Sequence, residues 1–379
     1  MPIRPELAHE QPYGAPQLDV PVLLNVNENP YPPSPDVVET ISREVARAAE
    51  GLNRYPDRDF SELRQDLADY LALETGVAMD PFSVWAANGS NEVMLHLLQA
   101  FGGPGRTALS FAPTYSMYPE YARDTHTRWI TARRDEDFTV DPRTAAAAIA
   151  EHRPSVILLA SPNNPTGTAL PPSTIEAVLE AARTADPATP AVVVVDEAYA
   201  EFRRAGTPSA VSLLADHPNL AVTRTMSKAF ALAGARVGYL AAQPDLVDAL
   251  RVVRLPYHLS AVTQAVARAA LRHRDTLMAQ VGGLREERDA LVAWLREQRT
   301  PAGAGLRVAD SDANFVLFGT FADRHAVWQG LLDRGVLIRE TGPDGWLRVS
   351  VGTPQENAAF RRALTDVVEA LTNVIEETA

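Results

Sequence analysis

The run Val192-Val193-Val194-Val195-Asp196 decides the fold of this chain. Four consecutive β-branched residues predict a strand that is apolar on both faces, as in parallel sheets covered by helices on either side. Asp196 follows at the carboxyl end of that strand, where open α/β sheets bind their ligands. A carboxylate buried there needs a cation or strong hydrogen-bond donors as its partner. This stretch therefore predicts an α/β layer with a ligand site at the edge of its sheet.

Further short apolar runs alternate with helical patterns on both sides of the valine run. They predict strands at 84–86, 107–111, 156–160, 192–195, 220–223 and 237–241. Strands that alternate with helices form a doubly wound, mostly parallel sheet that is wrapped by helices. We therefore predict a large α/β domain over residues 34–257.

The two ends of the chain have a different character. Residues 1–33 are rich in proline and predict an extended N-terminal arm. A helical pattern runs from 258 to 298, with a predicted interruption at Gly282-Gly283, and strands are predicted after it at 314–318, 336–339 and 346–350. We therefore predict a smaller α+β domain over residues 258–379, which the arm joins.

The composition argues against several classes of function. The chain of 379 residues has a net charge of −13, which argues against nucleic acid as its partner. It has no run of about 18 apolar residues for a membrane span, and its N-terminus lacks the apolar core of a signal peptide. It contains no cysteine, and its eight histidines show no metal-ligand spacing, so no metal site is predicted. These features predict a cytoplasmic enzyme.

Lys228 is the only lysine in the chain, whereas arginine occurs 34 times. An arginine pairs with carboxylates as a lysine does, but its pKa stays above ~12 and it forms no imine with an aldehyde. A primary amine does form an imine once desolvation or a cationic neighbour lowers its pKa. The single lysine therefore points to amine chemistry at position 228.

Two polar stretches predict a site for a phosphate group. Asn88-Gly89-Ser90-Asn91 follows the first predicted strand and opens a helix, and the N–H groups at a helix N-terminus bind anions. Thr225 and Ser227 flank Lys228 with hydroxyls, and Arg236, eight residues beyond the lysine, can bind a phosphate with two N–H groups at once. Neither a GxGxxG fingerprint nor a P-loop is present, so these glycines do not predict a dinucleotide site.

The order and spacing of the polar motifs resemble those of the fold-type I aminotransferases, which depend on pyridoxal 5'-phosphate (PLP). The motifs are Asn164-Pro165-Thr166-Gly167, Asp196-x-x-Tyr199, Ser227-Lys228 and an arginine, Arg236, eight residues beyond the lysine. Within these enzymes the chain is similar to the histidinol-phosphate aminotransferases over essentially its whole length. The closer resemblance rests on the stretches 24–30, 54–57, 224–230, 311–315, 335–339 and 347–352. It implies a mixed, mostly parallel sheet in a large PLP-binding domain.

The resemblance also implies a role for each residue around the cofactor ring. Lys228 would bond to the cofactor aldehyde, and its freed amine would act as base at the donor's α-carbon and then as acid. Asp196 would pair with the N–H of the pyridine ring and keep the ring an effective electron sink. Tyr199 and Asn164 would donate hydrogen bonds to the ring oxygen, and Tyr115 would stack on the ring face.

The remaining candidates would bind the anionic ends of cofactor and substrate. The resemblance implies that the cofactor phosphate is held by Ser90, Asn91, Thr225, Ser227 and Arg236. Tyr55 would reach the cofactor phosphate of the other subunit across a homodimer interface. Arg348 would bind the anionic end of the substrate, with Arg339, Tyr13 and Asn27 nearby.

The implied reaction belongs to histidine biosynthesis. L-Histidinol phosphate and 2-oxoglutarate would give imidazole acetol phosphate and glutamate in a ping-pong cycle. An aromatic amino-acid aminotransferase, with phenylalanine or tyrosine as main or side substrate, and a decarboxylase of a phosphorylated amino acid would share every cofactor residue. The arm and the region of Arg339 and Arg348 favour histidinol phosphate. A PLP-binding regulator is a further alternative, but this acidic chain offers no helix-turn-helix candidate.

Overall fold

The computed structural model describes residues 2–12 and 14–378 of the chain. Within these residues the α-helices are α1 (Pro35–Ala49), α2 (Ser61–Thr75), α3 (Ser90–Phe101), α4 (Tyr118–Asp124), α5 (Pro142–His152), α6 (Pro172–Ala185), α7 (Pro244–Val253), α8 (Ala261–Arg272), α9 (Arg274–Glu297), α10 (Arg324–Asp333) and α11 (Pro354–Thr378). The strands are β1 (Val22–Leu23), β2 (Val84–Ala87), β3 (Thr107–Ala112), β4 (Arg128–Arg133), β5 (Val156–Ala160), β6 (Val192–Asp196), β7 (Leu220–Thr225), β8 (Gly238–Ala242), β9 (Arg307–Val308), β10 (Phe315–Gly319), β11 (Val336–Leu337) and β12 (Leu347–Ser350).

The largest sheet formed by the described residues has seven strands in the order β2-β8-β7-β6-β5-β3-β4. The neighbours from β7 to β4 run parallel, whereas β8 is antiparallel to both β7 and β2. The predicted mixed, mostly parallel sheet is therefore confirmed. The direction reverses at β8 because β7 and β8 are joined without a helical crossover, by residues 226–237. That connection carries Lys228 and Arg236.

The valine run is the centre of this sheet, and its residues are buried on both faces. Helix α6 packs on β6, and α3 packs on β7 and β8. Burial from two sides explains why the sequence here is a continuous apolar run rather than an alternating one. Strand β4 was not predicted because it forms the edge of the sheet, where its arginine and threonine residues are exposed.

A second hydrophobic cluster lies around β10 and β12 and is covered by α9, α10 and α11. Strand β10 pairs antiparallel with both β12 and β9. The N-terminal segment joins this region, because β1 pairs in parallel with β11 and Leu24 is part of the cluster. The N-terminal segment therefore packs on the C-terminal part of the chain and contributes no strand to the seven-stranded sheet.

The predicted helix interruption at Gly282-Gly283 is wrong. Helix α9 continues through both glycines, and the break falls at His273, between α8 and α9. Leu277, Val281 and Leu284 form a buried stripe along α9. Packing of that stripe outweighs the cost of about 1 kcal/mol that each glycine adds in a helix.

Across residues 2–12 and 14–378, the helices lack the combination of length and apolarity that a membrane crossing requires.

Candidate active site

A cavity of about 380 Å³ opens beside the carboxyl ends of β5, β6 and β7. Of the fifteen residues proposed from the sequence, the structure brings thirteen together in its wall: Asn27, Ser90, Asn91, Tyr115, Asn164, Asp196, Tyr199, Thr225, Ser227, Lys228, Arg236, Arg339 and Arg348. Tyr55 does not line the cavity, and Tyr13 lies outside the described residues. Residues from segments more than 300 positions apart therefore meet in one site.

Lys228 lies in the connection that follows β7 and lines the cavity. The Nζ donates a hydrogen bond to the carbonyl oxygen of Val26 at 2.9 Å. Burial, followed by the positive charge of Arg348, lowers the pKa of Lys228 to about 8; Glu28 opposes this shift, and Arg236 adds a smaller effect in the same direction as Arg348. A lysine with this pKa has an appreciable neutral fraction near pH 7, which a nucleophilic or basic amine requires.

Asp196 is the last residue of β6, and its carboxylate is buried. Its Oδ2 accepts a hydrogen bond from the Tyr118 hydroxyl at 2.8 Å, and its Oδ1 accepts from the Thr223 hydroxyl and the Ala198 N–H, each at 3.2 Å. Burial raises the pKa of Asp196 despite these donors. Among the described residues no cationic side chain forms an ion pair with this carboxylate. The site thus holds a buried acid without a cation of its own.

An anion cradle lies at the N-terminus of α3, between Ser90 and Arg236. Gly89 precedes the helix with a φ of 85°, and a Cβ there would collide with the Arg236 guanidinium. Gly238 is equally constrained, because a Cβ would collide with the backbone of Ser90. Arg236 donates to the Ser227 hydroxyl at 3.5 Å. Two glycines therefore allow helix N–H groups, hydroxyls and a guanidinium to converge on one small volume.

On the opposite wall, polar side chains link the N-terminal segment to the strands. The Asn27 amide donates to the Tyr199 hydroxyl at 3.1 Å. The Arg348 guanidinium donates to Oδ1 of Asn164 at 2.6 Å and to the Asn25 carbonyl at 2.8 Å. Arg339 and Arg348 are antiparallel bridge partners, which places two cationic side chains at neighbouring backbone positions. This wall suits the anionic end of a ligand.

Two of the proposed aromatic residues take different positions. The ring of Tyr115 lines the cavity and packs edge-on against Tyr118, with centroids 5.5 Å apart. Tyr55 stacks on Tyr257 with centroids 4.4 Å apart, and 79% of Tyr55 is exposed. An exposed position outside the cavity agrees with action on a second subunit, but its role across an interface stays a prediction.

Sequence reasoning missed three contributors to the site. Tyr118 and Thr223 bind Asp196, and the backbone carbonyls of Val26 and Asn25 accept hydrogen bonds from Lys228 and Arg348. Tyr118 had a detectable signal, because it lies only three residues after Tyr115, and the turn that joins them brings the two rings into contact. The carbonyl contacts had none, because a backbone acceptor is present at every position.

These features fit PLP, which is a phosphorylated pyridine that carries an aldehyde. An amine with a lowered pKa suits the aldehyde, and a buried carboxylate without a cation suits a protonated ring nitrogen. The cradle at the start of α3 suits the phosphate. The three groups lie in the wall of one cavity of small-molecule size.

The fold and the site define a PLP-dependent aminotransferase of fold type I, and comparison with known proteins agrees. The family model for aminotransferase class I and II matches residues 20–364, so the chain belongs to that family. The chain is 63% identical to a histidinol-phosphate aminotransferase of Thermobifida fusca, over 96% of this chain and 95% of that protein. It is 62% identical to histidinol-phosphate aminotransferase 3 of Burkholderia lata, over 97% and 96% of the two chains.

A solved structure gives the same fold. The histidinol-phosphate aminotransferase of Sinorhizobium meliloti, in complex with pyridoxal-5'-phosphate, superposes with a TM-score of 0.78. The match covers 93% of this chain and 92% of that one at 24% sequence identity. The predicted fold class is therefore confirmed.

Proposed function

We propose that the protein transfers the amino group of L-histidinol phosphate to 2-oxoglutarate and releases imidazole acetol phosphate and glutamate. PLP is the cofactor, and the two half-reactions follow one another in a ping-pong cycle. One observation carries the proposal: the amine of Lys228 and the carboxylate of Asp196 share a cavity with Arg339 and Arg348. The names of the relatives that are about 60% identical support the same substrate.

Different residues around the cavity would bind the different chemical groups of the cofactor. Lys228 would hold its aldehyde carbon, Asp196 its ring nitrogen, and Tyr199 with Asn164 its ring oxygen. Its phosphate would lie in the cradle formed by Ser90, Asn91, Thr225, Ser227 and Arg236. When bound, PLP supplies an electron sink for the bonds at the donor's α-carbon. Tyr115 would cover one face of the ring.

Lys228 is the residue that moves protons. With a pKa of about 8, its Nζ is neutral in roughly a tenth of molecules at pH 7 and can accept a proton from the donor's α-carbon. With PLP bound, the same Nζ would donate that proton to the cofactor carbon that carried the aldehyde, so the proton leaves the donor's α-carbon for good. Arg348 and Arg236 favour the neutral amine by charge repulsion, while the Val26 carbonyl gives it a fixed position. An arginine at this position would remain protonated and could not perform either step.

One site must accept two different acids, a phosphate monoester and a dicarboxylate. Arg348 and its neighbour Arg339 can bind both, because a planar guanidinium donates two parallel hydrogen bonds to phosphate and carboxylate alike. The Asn164 amide and the Asn25 carbonyl fix the orientation of the Arg348 fork. Fixed orientation reduces the entropy lost when either substrate binds.

The proposal includes an assembly and a domain organisation. We propose a cytoplasmic homodimer in which Tyr55 serves the partner's cofactor site; the exposed stack of Tyr55 on Tyr257 supports it. We also propose an arm over residues 1–33, a large PLP-binding domain over 34–257 and a small domain over 258–379. The pairing of β1 with β11 and the separate cluster around β10 support these limits.

A comparison of two amino donors tests the substrate. We expect kcat/KM for histidinol phosphate to exceed that for phenylalanine by at least about a hundredfold when 2-oxoglutarate is the acceptor, because its phosphate offers Arg339 and Arg348 more negative charge and more acceptor oxygens than the single carboxylate of phenylalanine. Both donors use the same cofactor contacts, so the ratio reports recognition of the donor alone. A ratio below one would instead identify an aromatic amino-acid aminotransferase.

A further inference from the structure

The charges in the cavity wall are unevenly distributed. Lys228, Arg236, Arg339 and Arg348 contribute positive charge, whereas Asp196 and Glu28 are the acids among the described lining residues. Under the proposed function, three of the cations already have an anionic partner in the cofactor or the substrate. Asp196 accepts three hydrogen bonds at the floor of the site. Glu28 is the remaining charge without an assigned function.

Glu28 is held in place by its backbone rather than by its side chain. Across the described residues, no hydrogen bond or ion pair is formed by the Glu28 carboxylate, whose side chain is exposed at the cavity wall. The Asn314 amide donates to the carbonyls of Asn27 and Glu28, at 3.0 and 3.5 Å. Ser350 accepts from the Asn27 N–H at 2.9 Å and donates to its side chain at 3.0 Å.

The Glu28 carboxylate is therefore carried by a backbone segment, residues 25–28, that hydrogen bonds hold in place. Lys228 and Arg348 bind the same segment through the carbonyls of Val26 and Asn25. Glu28 is also close enough to Lys228 to influence the charge state of its amine. A carboxylate that is anchored through its backbone, beside the reacting amine, is placed to bind a polar group of the substrate.

We propose that Glu28 determines donor specificity by accepting a hydrogen bond from an imidazole N–H of histidinol phosphate. The inference rests on the proposed function and adds the recognition of the ring to it. An imidazole always carries at least one N–H, and the protonated ring carries two and a positive charge. Among protein side chains, an ionised carboxylate is the strongest hydrogen-bond acceptor for such a group at neutral pH. Phenylalanine offers Glu28 no donor, and the second carboxylate of 2-oxoglutarate is repelled by it.

The test uses Glu28→Gln and Glu28→Ala holoenzymes, with histidinol phosphate and phenylalanine as donors. We expect kcat/KM for histidinol phosphate to fall about tenfold in Glu28→Gln and up to about a hundredfold in Glu28→Ala, the range for a hydrogen bond to a charged group. The value for phenylalanine should change less than about threefold, since its ring makes no hydrogen bond. In a single turnover with 2-oxoglutarate, both variants should match or exceed the wild type.

The ratio between donors separates recognition from other effects. A change in the Lys228 amine, in cofactor binding or in folding alters both donors equally, so equal losses would overturn the inference. An unchanged ratio would overturn it as well. Glu136→Gln removes the same charge at an exposed position outside the cavity and should leave the ratio unaltered. A wild-type enzyme that prefers phenylalanine would overturn the proposed function, whereas a preference for histidinol phosphate that survives Glu28→Ala would overturn only the role of Glu28.

Discussion

Asp196 and Glu197 are neighbours in sequence, yet their carboxylates lie in opposite environments. Asp196 faces the cavity and is bound by neutral donors from Tyr118, Thr223 and a backbone N–H. Glu197 does not line the cavity and belongs to an ion cluster that we define as Glu74, Glu197, Glu201, Arg203 and Arg224, of which all but Glu74 are buried. Within that cluster, Arg224 lies 2.7 Å from Glu197 and 3.0 Å from Glu201.

The pKa values of the two acids move in opposite directions. Burial raises the pKa of Asp196, and the neutral donors only partly oppose it. Burial acts in the same direction on Glu197, but the charges of Arg224 and Arg203 outweigh it and lower the pKa of that acid. A carboxylate with a structural function therefore has its cation built into the fold. The carboxylate of the site lacks one, which is expected where a ligand supplies the positive charge.

The two sides also differ in the type of cation. The ion cluster uses arginine, which stays charged and binds two carboxylates at once. The cavity side has the single lysine, whose pKa can fall to about 8. Burial disfavours the charged form on both sides, but around Arg224 the opposite charges outweigh it, whereas at Lys228 burial produces a partly neutral amine.

The largest effect on kcat is expected from Lys228→Arg, which places in the cavity an arginine, the cation that the ion cluster uses. The variant keeps the positive charge but loses the neutral amine, so kcat should fall by at least about a thousandfold. The folded structure should persist, as followed by circular dichroism and thermal unfolding. Borohydride reduction of the wild-type holoenzyme should attach the cofactor to one tryptic peptide, the one that contains Lys228, and should attach none in the variant. Turnover near the wild-type rate would contradict the assignment of the amine.

The next effect separates the neighbouring acids directly. Asp196→Asn removes a buried charge that has no cation, so kcat should fall about a hundredfold or more while the cofactor-free protein becomes no less stable. Glu197→Gln leaves Arg224 with one partner fewer and should reduce the free energy of unfolding by roughly 3 to 5 kcal/mol. Urea denaturation and steady-state kinetics measure both. A loss of stability in Asp196→Asn equal to that in Glu197→Gln would remove the distinction between the two sides.

The same pair predicts opposite dependences on pH. For Glu197 the folded-state pKa is lowered, so its contribution to stability is present at neutral pH and is lost as pH falls through that value. For Asp196 the folded-state pKa is raised, so the folded cofactor-free protein binds a proton more tightly and loses stability as pH rises through that value. The difference in unfolding free energy between wild type and Glu197→Gln should therefore shrink on acidification. A difference that grows would contradict the sign.

The sequence predicts one side of this comparison much better than the other. Many of the thirteen cavity residues were predicted because strand ends, a helix start and a lone lysine have local signals, whereas Asn27, Arg339 and Arg348 were predicted from the family resemblance alone. The ion cluster was missed, because Glu74 and Arg224 are 150 positions apart and each resembles a surface charge in the sequence. Strand β4 and the continuous helix α9 were missed for a related reason, since edge position and packing of distant side chains decide them.

The smallest effect concerns two buried tyrosines, one on each side. Tyr118 donates to Asp196 at 2.8 Å, and Tyr70 donates to Glu201 at 3.3 Å. Tyr118→Phe retains the ring that packs against Tyr115 but removes one of the three donors to Asp196. Because two donors remain, we expect kcat to fall about three- to tenfold, with a loss of about 1 kcal/mol in stability.

Tyr70→Phe is the matched control, since it removes a hydroxyl from a buried carboxylate on the side without catalysis. It should reduce stability by about the same amount, roughly 1 kcal/mol, and leave kcat within twofold of the wild type. The affinity of the cofactor-free protein for PLP, measured by fluorescence quenching, should weaken in Tyr118→Phe alone. Equal kinetic effects in the two variants would mean that the Tyr118 hydroxyl acts through general stability, not by orienting Asp196. A loss of kcat and of PLP affinity in Tyr118→Phe alone would instead show that the Tyr118 hydroxyl orients the Asp196 carboxylate. Because this hydroxyl is neutral, the negative charge of Asp196 stays available to the ring nitrogen of the cofactor.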